Sequence, residues 1–211
     1  MKTAIPFIKP ANSKTQIKGL LEPFEYNAIG NFPWGEPQPK PSVQFKIAHD
    51  NDAILIHYDV GETETLARYC RHNDPVYKDS CVEFFIAFNS EKHYYNFEFN
   101  CFGTCLAGWG PDRNARLLLP VTLIDQIYTN TTIQRYGNDS LPFIHWQLSI
   151  RIPISVFKHS SLKHLKKQKA RANFYKCGDE LSQPHFVSWK NIQTAAPDFH
   201  QPDFFGDIEF L

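Results

Sequence analysis

Hydrophobic and polar residues alternate with a period of two along much of the chain, beginning near residue 43. The segment "VQFKIAH" places Val43, Phe45 and Ile47 on one face and the intervening polar residues on the other. Because successive side chains of a strand point to opposite faces, this alternation predicts a strand with one buried face. Six later segments also read as strands: "AILIHYDV", "CVEFFIAF", "YYNFEFNCF", "HWQLSIRIP", "ARANFYKC" and "FGDIEFL".

Helical periodicity is scarce along the same chain. Short helical turns are predicted only in "ISVFKHS" and between Thr65 and Tyr69, and a hairpin turn is predicted at "DND", residues 50–52. Many short strands joined by turns, with almost no helix, predict an all-β fold. We expect an antiparallel β-sandwich, immunoglobulin-like or jelly-roll-like, with long loops and few short helices.

The domain organisation follows from length and from one proline-rich segment. The segment "NFPWGEPQPKPS", residues 31–42, reads as an extended surface loop, and the piece before it is too short to fold alone. We therefore expect residues 1–211 to form a single domain. A content of 42% hydrophobic and 15% aromatic residues is enough to bury a substantial core.

Charge and cysteine content narrow the classes of partner. Lys and Arg total 22, as do Asp and Glu, so the net charge is zero and we expect no charge-driven binding of nucleic acid. No stretch approaches the roughly 20 apolar residues of a spanning helix, so we expect no membrane span.

Five cysteines without metal-site spacing predict free thiols. Free thiols and the lack of a visible signal peptide suit the cytoplasm, but removal of a leader would leave a secreted or periplasmic protein, so localisation stays open.

One predicted strand carries a row of polar side chains. Asn96, Glu98 and Asn100 alternate with aromatic residues in "YYNFEFN", so they share one face at intervals of roughly 6.6 Å. Amides and a carboxylate together can satisfy adjacent sugar hydroxyls. The same row also suits the solvated face of an ordinary strand, and the pattern leaves both readings open. Glu83, in the apolar "CVEFFIAF", needs polar partners if it is buried.

Aromatic residues also fill the C-terminal "PDFHQPDFFGDIEF", although its prolines and glycine are typical of loops. Pro197 and Pro202 bracket Phe199 and would stiffen its loop. Phe199 can therefore meet a ligand or pack in the core, whereas at least one of Phe204 and Phe205 is expected to be buried.

Five segments, in order, resemble carbohydrate-binding module family 9. They are "VYKDSCVEFFIAF", "YYNFEFNCFGT", "ARANFYKCGD", "PHFVSW" and "PDFHQPDFFGDIEF", and they run from about residue 76 to the C-terminus. Such modules occur attached to xylanases and as stand-alone proteins of sugar-degrading bacteria. The resemblance implies that residues 1–211 form a single carbohydrate-binding-module-like β-sandwich domain. Such a domain binds a sugar without catalysis, typically at a chain end, and serves polysaccharide breakdown.

The resemblance also implies the site. It places two aromatic rings on either side of the sugar at Tyr77 and Phe199, where the family carries Trp. It places polar contacts at the strand positions Glu83, Asn96, Glu98 and Asn100, the third of which replaces a basic side chain of the family.

The partner implied is a mono- or oligosaccharide, including the end of a polysaccharide chain, and no cofactor is required. Structural calcium is common in the family, and four acidic loop residues offer oxygen ligands without EF-hand spacing: Asp50, Asp52, Asp74 and Asp79.

Three other functions remain open at this level. A glycoside hydrolase would need two carboxylates about 5.5 Å or roughly 6.5–9.5 Å apart, and Glu83 and Glu98 could face each other on neighbouring strands. A haem or metal module could use pairs of the nine His, although Met1 is the single Met, which excludes Met/His ligation. A protein-binding sandwich could use the same aromatic rim on a partner. Whether the chain is an enzyme is therefore uncertain.

Overall fold

The structure, a computed structural model, describes residues 2–10, 16–138 and 141–211. Its strands are β1 Thr3–Ile5, β2 Asn27–Ala28, β3 Ser42–His49, β4 Ala53–Glu62, β5 Cys81–Phe88, β6 Tyr94–Asn100, β7 Cys105–Gly110, β8 Leu117–Leu118, β9 Tyr128–Asn138, β10 Leu141–Pro153, β11 Lys169–Cys177, β12 Phe186–Ser188 and β13 Gly206–Phe210. Its helices are α1 Ile17–Leu21 and α2 Val121–Ile124, with 3-10 turns at Val76–Lys78, Ile154–Val156 and Pro202–Phe204.

The strands of the described residues form two sheets. The larger, eight-stranded sheet has the order β1-β13-β11-β5-β6-β7-β8, with β12 also paired to β11. The five-stranded sheet has the order β2-β3-β4-β10-β9. Between the described strands every pairing is antiparallel except that of β1 with β13. The predicted antiparallel β-sandwich is confirmed.

The main core lies between the two sheets and is built from the alternating apolar positions. Phe45 of β3 stacks on Phe174 of β11, with ring centroids 3.7 Å apart, and Phe84 of β5 stacks on the same ring at 4.9 Å. Tyr58 of β4 crosses the interface and donates a 2.8 Å hydrogen bond to the backbone oxygen of Glu83. This bond satisfies a hydroxyl that would otherwise be costly to bury.

Among the smaller elements, the hairpin turn and one of the two predicted helical turns are confirmed. A 3-10 turn occurs at Ile154–Val156, within "ISVFKHS". The prediction between Thr65 and Tyr69 is wrong: the segment is irregular, because its Arg68 and Tyr69 N–H groups donate to the carboxylate of Asp79 instead of to helical carbonyls. The short helices α1 and α2 were not predicted.

The outer face of the larger sheet is covered as well, so β5 and β6 are buried on both faces. The C-terminal loop, residues 197–205, lies over this face and forms a second apolar cluster with Phe85, Tyr94 and Tyr175. The polar row of β6 therefore lies beneath loops rather than in solvent. None of the helices in the described residues has the length and hydrophobicity needed to cross a membrane.

Candidate functional site

A pocket opens over the outer face of the larger sheet, between the C-terminal loop and the turn before β5. Its empty volume, including space open to solvent, is about 450 Å³. Four of the six predicted site residues line it: Tyr77, Glu83, Glu98 and Phe199. Two loops far apart in sequence thus meet over the polar centre of one sheet.

The two predicted rings occupy different settings within this pocket. Tyr77 lies on the 3-10 turn Val76–Lys78 and is half-buried, so part of its ring is accessible. Phe199 is only 8% exposed and stacks on Tyr175, with centroids 4.2 Å apart and planes 12° apart. Trp34 and Phe186 approach the same ring at 5.8 and 6.1 Å. Phe199 therefore combines core packing with a place in the pocket wall, and a sugar held between both rings stays a prediction.

The carboxyl groups of Glu83 and Glu98 are cross-strand neighbours. Both residues are buried, and the pairing of β5 with β6 sets them directly opposite each other. Burial first, and the adjacent Glu98 second, raise the pKa of Glu83 well above its usual value. Burial also raises the pKa of Glu98, although the Arg116 guanidinium opposes this shift. Because the Arg116 guanidinium lies beside Glu98, the negative charge of the two carboxyl groups resides on Glu98. Glu83 stays protonated and can donate a hydrogen bond.

Arg116 links the polar strand to the C-terminal loop. Its Nη1 donates to Glu98 Oε1 at 2.9 Å and to His200 Nε2 at 3.2 Å. With Nε2 accepting, the protonated Nδ1 of His200 donates to the Tyr94 hydroxyl at 2.8 Å. Burial first, and the cation of Arg116 second, lower the pKa of His200 to about 3, so the ring is neutral. The result is a continuous hydrogen-bonded chain along one wall of the pocket.

Glycines in β7 allow Arg116 to take this position. A Cβ on Gly110 would lie 2.5 Å from the Cα of Arg116, and a Cβ on Gly108 would lie 2.7 Å from Asn96 Oδ1. The connection from β7 to β8 can therefore fold back closely over the sheet, which brings the guanidinium above Glu98. A basic side chain, Arg116, therefore reaches Glu98 from the neighbouring loop and not from the polar strand itself.

The two asparagines of β6 do not line the pocket. Asn96 is buried beside it and donates to Glu98 Oε1 at 3.0 Å. Two oxygens of this pair, Asn96 Oδ1 and Glu98 Oε2, are buried without a hydrogen-bond partner among the described residues. Such atoms are costly unless a ligand or water satisfies them. Of the two residues, Glu98 lines the pocket and Asn96 does not.

The side-chain amide of Asn100 is hydrogen-bonded to neighbouring loops of the protein. Its Nδ2 donates to the Tyr69 carbonyl at 2.8 Å and to Asp79 Oδ2 at 3.0 Å. Its Oδ1 accepts from the backbone N–H groups of Phe102 and Thr104 at 3.2 and 3.0 Å. All four bonds hold loops at the end of β6, so the side chain is fully engaged within the protein. Direct contact of Asn100 with a sugar stays a prediction without support from this geometry.

Several pocket residues were missed by the sequence reasoning: Arg113, Arg116, Asp179 and His200. Burial raises the pKa of Asp179 to about 6, while Arg113 opposes the shift. Both arginines lie in "PDRNAR", a loop without periodicity, and only the family's expected basic residue pointed to a cation at this place. His200 stands beside the predicted Phe199 and could have been found by extending the search along the same loop.

The four acidic loop residues considered for calcium do not form a cage. Asp79 is buried, and its oxygens accept from backbone N–H groups and from an asparagine amide. Asp50 accepts from two backbone N–H groups and pairs with Arg151. Within the described residues, the side-chain group close enough to share one metal ion contains two thiols, which calcium does not favour. Structural calcium stays a prediction that these side chains do not support.

Comparisons with known proteins agree with the observed fold. The structure of a candidate carbohydrate-binding protein from Bacteroides uniformis is 32% identical, with a TM-score of 0.91 over 100% of this chain and 99% of that one. Two structures of a family 9 module from Caldicellulosiruptor kristjanssonii, with cellotriose and with glucose, are each 14% identical. Their TM-scores are 0.66 and 0.59, over 100% of this chain and 93% and 96% of theirs. At that identity the likeness shows the fold alone.

No curated protein matches the chain. The family described as carbohydrate-binding family 9 has a model that matches residues 18–210, which is nearly the whole length and extends well before the motifs noted in the sequence. The resemblance first seen in the C-terminal part is thereby confirmed: the chain belongs to carbohydrate-binding family 9.

Proposed function

We propose that this protein binds a mono- or oligosaccharide, without catalysis, in the pocket over the larger sheet. The observation that carries the proposal is the convergence of two rings with a buried carboxylate–guanidinium pair. Tyr77 and Phe199 line the same pocket as Glu98 and Arg116. Glu98 retains a buried oxygen that has no partner among the residues that the structure describes. This combination of apolar faces and charged hydrogen-bonding groups is the chemistry that sugars require.

The two kinds of group recognise different parts of a sugar. The C–H patches of a pyranose ring pack against aromatic side chains, here the accessible parts of Tyr77 and Phe199. The hydroxyl groups donate to Glu98 and accept from Arg116 and from the protonated carboxyl of Glu83. Because several of these partners are already hydrogen-bonded to one another, they lose little entropy when a ligand binds.

The relatives supply the first ligands to test. Structures of the Caldicellulosiruptor kristjanssonii module contain cellotriose or glucose, so glucose and short β-glucans are the starting set. The small pocket favours a chain end or a single residue over a long internal stretch. A protein of this kind would serve polysaccharide breakdown by holding a sugar end near a partner enzyme.

Isothermal titration calorimetry with glucose, cellobiose and cellotriose tests the proposal. We expect dissociation constants on the order of micromolar to millimolar, because water competes for every hydroxyl. Tyr77→Ala should weaken binding about tenfold or more, corresponding to roughly 1.4 kcal/mol. Phe102→Ala, which removes a ring that is 64% exposed and does not line the pocket, is the matched control. Equal affinity in wild type and Tyr77→Ala would remove this ring from the site.

The glycoside hydrolase alternative is tested by the same samples. Glu83 and Glu98 are adjacent carboxyl groups with raised pKa values, which is a setting that hydrolases use. Release of reducing sugar from cello-oligosaccharides by the wild type, lost in Glu83→Gln, would replace the binding proposal by a catalytic one. We expect no release above the background of a protein-free sample.

A further inference from the structure

Two thiols and a carboxyl group converge beneath the pocket. Cys81 of β5 and Cys177 of β11 are paired directly across the two strands, and Glu83 follows two residues after Cys81 on the same face. The two sulfur atoms and a carboxyl oxygen of Glu83 all lie within 4.8 Å of one another. The Sγ of Cys177 donates to Glu83 Oε1 at 3.2 Å. All three residues are buried.

The proposed sugar-binding function assigns no role to the thiols of Cys81 and Cys177. A buried cysteine usually behaves as a small apolar residue. These two belong to the second apolar cluster, yet both of their sulfur atoms also lie close to the carboxyl group of Glu83. Of the three residues, Glu83 and Cys177 line the pocket, whereas Cys81 lies behind them. An ion in the pocket can therefore reach the cluster through Glu83 and Cys177, whereas Cys81 is not part of the pocket wall.

We propose that Cys81, Glu83 and Cys177 bind a zinc ion or a similar thiophilic divalent metal at the base of the pocket. Tetrahedral zinc, with bonds of about 2.3 Å to sulfur and about 2.0–2.2 Å to oxygen, sets its ligand atoms about 3.5–3.8 Å apart. The cluster reaches this spacing with shifts of about 1 Å or less, because its ligand atoms already lie within 4.8 Å.

The choice of metal follows from the ligand types. Thiolates select zinc and related soft ions over calcium and magnesium, which prefer oxygen. Binding releases the protons of both thiols and of the Glu83 carboxyl group, so two thiolates and one carboxylate face the ion. Three protein ligands leave a fourth position, which faces the pocket because Glu83 and Cys177 do. Water or a hydroxyl of a bound sugar would occupy this position, and this consequence alone rests on the proposed function.

The ions themselves are the probes, applied to the full chain after treatment with reductant and chelator. Equilibrium dialysis against zinc chloride, followed by elemental analysis, should give about one ion per chain at pH 8. Cobalt(II) in place of zinc should produce the thiolate-to-metal charge-transfer absorption. Cys81→Ser should lower zinc affinity a hundredfold or more, and Cys70→Ser, which changes an exposed cysteine outside the cluster, should not change it.

Two results would overturn the inference. The first is substoichiometric zinc in the reduced wild type; the second is zinc binding that is equal in wild type and Cys81→Ser. If Cys81→Ser does not fold, as judged by thermal unfolding, Cys81→Ala and Cys177→Ser provide the same comparison.

Sugar titrations separate this inference from the proposed function. In metal-free buffer, Cys81→Ser should bind sugar as the wild type does, because Cys81 does not line the pocket. Intact sugar binding without zinc uptake contradicts only the metal site. Zinc uptake without sugar binding contradicts only the proposed function.

Discussion

The buried ion pair of Glu98 and Arg116 is the residue-level feature on which the pocket depends. Their side chains are 3% and 16% exposed, and the pair is 2.9 Å apart. Removing one partner of a buried pair leaves a charge that the interior does not solvate. Arg116→Ala should therefore lower the free energy of unfolding by about 3 kcal/mol near neutral pH. Urea unfolding followed by tryptophan fluorescence measures this loss.

The pH dependence of that loss identifies its cause. Without Arg116, the already raised pKa of Glu98 rises further in the folded state, so the folded variant takes up a proton at a higher pH than the unfolded chain. The deficit should shrink as the pH falls, and the double variant Arg116→Ala/Glu98→Gln should be more stable than Arg116→Ala. A deficit that is independent of pH and unchanged in the double variant would point to lost packing instead.

Asp179 predicts a pH dependence of sugar binding. Burial raises its pKa to about 6, and the residue lines the pocket. Above that pH the carboxylate accepts hydroxyl hydrogen bonds more strongly, so affinity for sugar should increase as the pH rises through 6. Asp179→Asn should remove the inflection in calorimetric titrations between pH 5 and 7.5. Asp52→Asn, on the exposed turn between β3 and β4, should retain it.

Only some of the site residues could be predicted from the sequence. The family resemblance placed Tyr77 just before a recognisable strand and Glu83 within it. Arg116 could not be predicted, because its position depends on how closely a loop without periodicity approaches the sheet. Asn100 belongs to the same alternating row as Glu98, yet its amide holds neighbouring loops. Alternation assigns a side chain to a face of the sheet, but not to a partner on that face.

At the level of elements, Gly110 allows the connection between β7 and β8 to lie close to the larger sheet. A Cβ there would lie 2.5 Å from the backbone Cα of Arg116, so the connection must move away from the sheet. Gly110→Ala should displace Arg116 from Glu98, lower stability by about 1–3 kcal/mol and weaken sugar binding. Thermal unfolding and calorimetric titration together measure both effects.

The matched control for this element is Gly30→Ala. A Cβ on Gly30 has no atom within 4 Å, and the residue is exposed. We expect wild-type stability and affinity from this variant. Wild-type affinity in Gly110→Ala would mean that the connection is free to move without disturbing the pocket.

Strands were predictable at this scale because each buries one row of side chains between the sheets. The pattern also placed Phe84 and Phe97 in the main core. It did not indicate that β5 and β6 are covered on their outer face as well, since that cover comes from a loop distant in sequence. The irregular segment between Thr65 and Tyr69 was missed for a related reason: a side chain, Asp79, replaces its local backbone hydrogen bonds.

At the scale of the whole molecule, a buried polar cluster joins the two sheets. Lys176 of β11 forms an ion pair with Glu62 of β4 at 2.9 Å, and the indole of Trp146 of β10 donates to the same carboxylate. Lys176 also donates to His185 Nε2 at 2.9 Å, while the Nδ1 of His185 donates to the Gln183 carbonyl at 3.0 Å. His185 must therefore be neutral, because a second ring proton would face the ammonium group.

This arrangement predicts how global stability depends on pH. Burial first, and Lys176 second, lower the folded-state pKa of His185 to about 3, whereas an unfolded histidine titrates near 6.5. Between these values the unfolded chain binds more protons than the folded one, so the free energy of unfolding falls as the pH falls. A single proton contributes about 1.4 kcal/mol per pH unit to that slope.

A difference measurement isolates His185, because other titrating groups act in the same pH range. His57 and His200, with pKa values lowered to about 4 and about 3, add to the slope, and the raised carboxyl groups of the pocket oppose it. Glutamine can accept from Lys176 without gaining a charge, so His185→Gln should reduce the slope below pH 6 by about one proton. The exposed His164→Gln should leave it unchanged.

Equal slopes in wild type and His185→Gln, from urea unfolding between pH 5 and 7.5, would show that His185 accepts a proton without unfolding the chain. The cluster between the sheets would then tolerate an added charge, contrary to its burial and its ammonium neighbour.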